Sequence, residues 1–145
     1  MKKLISLLLI CILCISFVGC SMSWQSKTLS LEGETTTISI SSNNGYTFEY
    51  YDNEIVFYKD NEKVATGFWY KMSYYDTYKA NFSKSYDKID VPDMTENWKV
   101  YQSRMATAEI KNAAILDYNS EEMFFLITSD SSEHIIELVK IVKIK

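Results

Sequence analysis

The chain has one proline, one histidine and four glycines in 145 residues. So little glycine makes a phosphate cradle improbable, and neither G-x-G-x-x-G nor a P-loop pattern occurs. The single histidine, His134, excludes a zinc site built from several imidazoles. It is also the only base available to a serine nucleophile, and no G-x-S-x-G elbow is present. All three cysteines, Cys11, Cys14 and Cys20, fall in the first twenty residues. Beyond them no disulfide and no Cys–His pair can form. A basic excess is also missing. There are 15 basic and 19 acidic residues, a net charge of −4. That balance opposes nucleic-acid binding and unspecific adhesion to an anionic membrane. The longest apolar run, residues 4–18, is shorter than the roughly 20 residues that span a bilayer.

What that run does have is a direction. Lys2 and Lys3 precede it, and Phe17-Val18-Gly19-Cys20 closes it, as in a secretory leader. Val18, Gly19 and Cys20 resemble the lipobox of bacterial lipoproteins, and Phe17 departs from its usual Leu. The resemblance implies cleavage after Gly19 and a diacylglycerol thioether on Cys20. Two acyl chains hold a protein stably where one does so only marginally. The protein would then sit on the outer face of the cytoplasmic membrane, with the bilayer as its first partner. An uncleaved anchor and an ordinary signal with a chance cysteine are the alternatives. The chain divides into a helical signal peptide (1–19), a lipidated N-terminus with a polar tether (20–35) and one domain (36–145). Trp24 suits either the bilayer surface or a loose tail. Without the two leader lysines the mature chain has 13 basic and 19 acidic residues, a net charge of −6.

Along the domain, short alternating runs predict strands over 36–40, 46–51, 54–59 and 63–72, with turns at Asn43-Asn44-Gly45, Asp52-Asn53 and Asp60-Asn61. Residues 73–90 are ambiguous. Tyr74, Tyr78, Phe82 and Tyr86 recur every four residues, which suits one face of a helix or of a strand. Strands follow from Trp98 to Met105, from Ala113 to Tyr118 and from Met123 to Ser129. Asp130-Ser131-Ser132-Glu133 has the form of a capping box. It predicts a helix over 131–140 with Ile135, Ile136 and Val139 inward, and residues 141–145 read as a last strand. The expected class is α+β: a small domain dominated by an antiparallel sheet, with a C-terminal helix.

The closing stretch FFLITSDSSEHIIELVKIVKIK is similar to the end of PsbP/Mog1-like domains. There a strand, a capped helix and a short strand finish the chain, and an antiparallel sheet packs against helices. Some bacterial members are lipoproteins. The resemblance carries no catalytic set, and the aromatic hairpins upstream depart from it.

Those hairpins are the unusual feature. Between Tyr46 and Tyr86 lie fourteen aromatics, nine of them tyrosine. Phe48, Phe57, Phe68 and Phe82 are natural core. Tyr51, Tyr58, Tyr74, Tyr75 and Tyr78 are left to face water, as rings that suit a sugar or an extended peptide. The competing explanation is β-propensity, since tyrosines pair well across strands. His134 reads as a surface helix residue, and the acidic groups Glu121-Glu122 and Asp87-Asp90-Asp93 as solvated loops. No metal or cofactor is expected. The expected function is a non-catalytic binding or accessory module with an envelope protein or glycan as partner. A carboxylate-based hydrolase of wall polymer and a structural subunit of a membrane complex are the alternatives.

Overall fold

The computed structural model describes residues 23–31, 33–51, 54–116 and 123–145. Cys20 and the helix expected over 4–18 lie outside the described residues. The elements run β1 (Trp24–Leu31), β2 (Glu34–Ser41), β3 (Tyr46–Tyr51), β4 (Glu54–Lys59), β5 (Glu62–Lys71), α1 (Tyr75–Ser85), β6 (Tyr86–Ile89), β7 (Trp98–Ser103), β8 (Asn112–Leu116), β9 (Met123–Ser129), α2 (Ser132–Ile141) and β10 (Val142–Ile144). They form two antiparallel sheets, seven strands in the order β3-β4-β5-β9-β8-β7-β6 and three in the order β1-β2-β10. The mostly-β α+β class is thus the observed one, with two sheets in place of one.

Local chemistry sets the hairpins. Asp60 and Asn61 join β4 to β5 with φ of 52° and 70°. A two-residue turn with both φ positive matches the right-handed twist of its strands. Gly45, at φ 75°, closes the single 3-10 turn Ser42–Asn44 before β3. A Cβ there would lie 2.8 Å from Asp60 Oδ1. The β4–β5 register shifts at Phe57/Tyr58. The extra residue lets Tyr58 pair with Lys63 on the same face as Val56 and Thr66. In β5, Gly67 lets two rings close over bare backbone, since a Cβ would meet Phe57 at 3.0 Å and Phe125 at 3.2 Å.

The large sheet is packed on its inner face and over the β6 to β9 half of its outer face, which makes three layers. On its inner face Phe48, Ile55, Phe57, Trp69, Phe125 and Ile127 pack against Ile135, Leu138 and Val139 of α2. Leu29, Ile38, Ile40 and Val142 of the small sheet complete that core. On the outer face, α1 presses Tyr75 and Phe82 onto Tyr101, Ala113, Ile115, Phe124 and Leu126. β8 and β9, covered on both sides, accordingly read as continuous apolar runs, NAAIL and MFFLITS, and not as alternation. Each fully buried Phe, Leu or Ile contributes about 1.5–3 kcal/mol by leaving water.

Three expectations are corrected and one open stretch is resolved. The tether assigned to 20–35 is strand from Trp24, and Glu34 already begins β2. Its Ser and Thr residues alternate outward, a pattern shared by a solvated edge strand and a polar tail. The capping box does not form: α2 starts at Ser132, the side chain of its N-cap Ser131 caps no backbone N–H, and the Ser131 N–H donates to Ser129 Oγ at 3.1 Å. On α2, Leu138 takes a fully buried place, whereas Ile136 is only partly buried. The ambiguous stretch 73–90 is helix to Ser85 and strand from Tyr86.

Candidate functional site

The outer face of the large sheet is only half covered. α1 lies over β6 to β9 and the adjoining edge of β5, and no residue of β3 or β4 belongs to its core. The uncovered half carries Thr47, Glu49 and Tyr51 of β3 beside Glu54, Val56 and Tyr58 of β4, with Phe68 of β5 paired to Glu54. Phe48 and Phe57 take the inner face, so Tyr51 and Tyr58 point outward opposite them. Tyr51 is 54% exposed. Its hydroxyl donates to the Glu49 carboxylate, and Tyr58 joins the same group. The Glu49 bond pushes the Tyr51 phenol up to about 12. Val56, between Glu54 and Tyr58 on the same face of β4, is buried.

The other three tyrosines of the expected surface are elsewhere. Tyr74 is exposed in the turn Met72–Tyr74 that leads into α1, beyond this face. Tyr75 is core: it is 8% exposed, packs edge-on to Phe124 and accepts a bond from Lys99 Nζ at 2.8 Å. Tyr78 is half-buried and stacks on Tyr70 at 5.3 Å. Of the four-residue stripe, Tyr78, Phe82 and Tyr86 pack onto the core, and Tyr74 does not. Phe68, Tyr70, Tyr78, Phe82 and Tyr101 form a stack that runs from the open half of the sheet to the covered half.

A second constellation was not read from the sequence. Tyr46, fully buried on β3, donates to Glu137 of α2. Lys59, its neighbour on β4, bonds the same carboxylate oxygen at 2.7 Å. His134, one turn earlier on α2, places Nδ1 2.9 Å from the Tyr46 hydroxyl. Tyrosine has one proton to give, and Glu137 takes it. The Tyr46 oxygen therefore accepts from Nδ1–H, and neutral His134 keeps Nε2 as its acceptor. Burial and then the Glu137 bond hold the Tyr46 phenol well above its ordinary range. Lys59 and then Tyr46 hold the Glu137 carboxyl below the usual carboxylate range. His134 also lines an open cleft of about 510 Å³, with Thr66, Glu109, Lys111, Ser129 and Asp130. Lys111 and Asp130 pair across it at 3.3 Å. Such an imidazole can take a hydrogen bond from a small polar molecule. His134 is a half-exposed residue of the first turn of α2, and its bond to Tyr46 is what the sequence reading did not include. The local signal was the i, i+3 spacing of His134 and Glu137 on one helix face.

Compared with known proteins, the chain matches no family model, no curated protein and no solved structure. Among the described residues no group of three or more His, Cys, Asp or Glu could hold a metal ion. No helix among them is long and apolar enough to cross a membrane.

Proposed function

We propose that the chain is a lipid-anchored, non-catalytic binding module of the bacterial cell envelope, held by Cys20 on the outer face of the cytoplasmic membrane, which takes glycan on the uncovered face of β3, β4 and β5. The observation that carries this reading is the half-covered sheet, where α1 leaves Tyr51, Tyr58 and Phe68 without a lid. Rings flanked by carboxylates suit a saccharide: the ring packs on its apolar face, and Glu49 and Glu54 accept from its hydroxyls. Size favours glycan over protein. Three strands about 4.8 Å apart and about 20 Å long offer on the order of 300 Å². A stable protein complex uses about 800 Å² from each partner. An added peptide strand is disfavoured at β3 because that edge is occupied. The Gln25 carboxamide takes both the N–H and the C=O of Phe48, at 3.0 and 2.9 Å.

The test pairs binding with folding. Tyr51→Ser together with Tyr58→Ser is expected to lower retention on isolated wall glycan at least tenfold, since truncated hot-spot tyrosines often cost 2 kcal/mol or more. The melting temperature should hold. A collapsed melt would make these rings core. Equal retention of variant and wild type on glycan, with loss of a co-purifying membrane protein, would favour the structural-subunit alternative.

A further inference from the structure

The outer face of the small sheet has an unusual charge pattern. Trp24, Ser26, Thr28 and Ser30 of β1 pair with Ser41, Ser39, Thr37 and Thr35 of β2. Lys143 of β10 pairs with Ser39, and Lys145 exchanges backbone bonds with Thr37. The inner residues Leu29, Ile38, Ile40, Val142 and Ile144 are buried. The outer face is therefore seven hydroxyls, one tryptophan and two lysines. Among the described residues it holds no acidic side chain, in a chain with 19 acidic residues. The hydroxyls are aligned: Ser26 bonds Ser39 at 2.9 Å and Thr28 bonds Thr37 at 3.3 Å. Lys143 Nζ lies 4.5 Å from the centre of the exposed Trp24 ring.

We infer that this face of β1, β2 and β10 lies flat on the headgroup layer of an anionic phospholipid membrane. The inference rests on the lipid anchor proposed above. From Cys20 to Trp24 is four residues, at most about 14 Å of extended chain. An acyl chain at Cys20 would hold Trp24 within about 14 Å of the acyl layer, a reach of about two headgroup thicknesses. The net negative chain is repelled by anionic lipid everywhere except where acidic residues are missing. Here they are missing, and two ammonium groups, a headgroup-seeking indole and a field of hydroxyl donors face outward. The small sheet packs against the inner face of the large one. A docked small sheet therefore turns the Tyr51–Tyr58 face away from the membrane, toward the wall.

The experiment uses the mature chain extracted from membranes. In that chain Ser39→Cys supplies one free thiol for a polarity-sensitive dye, and Thr47→Cys labels the opposite layer as control. Vesicles contain phosphatidylcholine with or without one-third phosphatidylglycerol. The Ser39 dye is expected to shift to the blue on the anionic vesicles and the Thr47 dye to stay water-like. Lys143→Glu with Lys145→Glu should abolish the Ser39 shift, because each lysine near such a surface is worth about a factor of five. If the protein floats with vesicles while the Ser39 dye stays in water, docking is wrong and the anchor stands. If the chain carries no lipid mass at Cys20 and does not float, the anchor reading fails. A Ser39 shift that appears with rising protein concentration and no lipid overturns docking in favour of contact between copies.

Discussion

At the scale of single residues, Glu137 carries the most testable energetics. It accepts from Lys59 and from Tyr46, and both favour its charged form. Its folded pKa is therefore depressed, with Lys59 the larger cause. The stability it contributes is complete above the ordinary carboxylate range and is lost as pH falls through its lower folded value. Glu137→Gln is expected to cost about 1 kcal/mol at pH 7, the value for a bond to a charged group reduced for partial exposure. At pH 3 the gap between variant and wild type should narrow. Urea midpoints at the two pH values measure both numbers. An equal gap at pH 7 and pH 3 would show that the charge of Glu137 is not what holds α2 to β3. This cluster was not legible in the sequence. Tyr46 and His134 are 88 positions apart, and no periodicity within a window reports such a meeting.

At the scale of elements, the outcome follows how local each signal is. The hairpins β3–β4 and β4–β5 were legible because alternation and turn residues sit within a few positions of each other. Tyr51 and Tyr58 fell outward because Phe48 and Phe57 took the only other face. Tyr78 was misplaced because a period of four does not say which side of a helix is covered, and Tyr75 because it shares the covered side with Phe82 from outside that period. β1 was missed because its polar residues give no apolar alternation; Leu29 is its one fully buried side chain among the described residues. What orders β1 is β2 and a side chain, the Gln25 amide bonded to Phe48 on the edge of the large sheet. Exposed edges pair with other chains unless something covers them. Gln25→Ala should therefore leave Phe48 N–H and C=O open. The expected result is a melting temperature a few degrees lower and faster aggregation at raised protein concentration, read by light scattering. Gln25→Glu keeps the acceptor but not the donor and should fall between the two. Aggregation of Gln25→Ala at the wild-type rate would mean that β3 is protected by something other than this amide.

At the scale of the whole molecule, the two ends of the domain hold each other. Ile40 and Ile38 of β2 pair with Val142 and Ile144 of β10. Thr37 and Lys145 exchange both backbone bonds, at 2.7 and 2.9 Å, and the Thr36 hydroxyl donates to Lys145. Roughly a hundred residues separate these partners. Pairings so distant in sequence form late and slow folding, because loop closure precedes the gain from contact. Without β10, the small sheet is a two-stranded hairpin, and such hairpins are at best marginally stable in water. It would keep only its packing against the large sheet, with Ile38 and Ile40 half uncovered. Deletion of residues 142–145 should therefore act on β1 and β2 more than on the centre of the large sheet. In hydrogen exchange, the amides of Gln25 to Leu31 and Thr36 to Ser41 are expected to lose protection by two orders of magnitude or more. Those of Ala113 to Leu116 and Phe124 to Ile127 should exchange faster than in wild type by only a small factor, since both faces of β8 and β9 stay packed. Uniform loss across all strands would show one cooperative unit and not a detachable layer. Unchanged protection of β1 and β2 would show that Gln25 and the shared core hold the small sheet without its third strand.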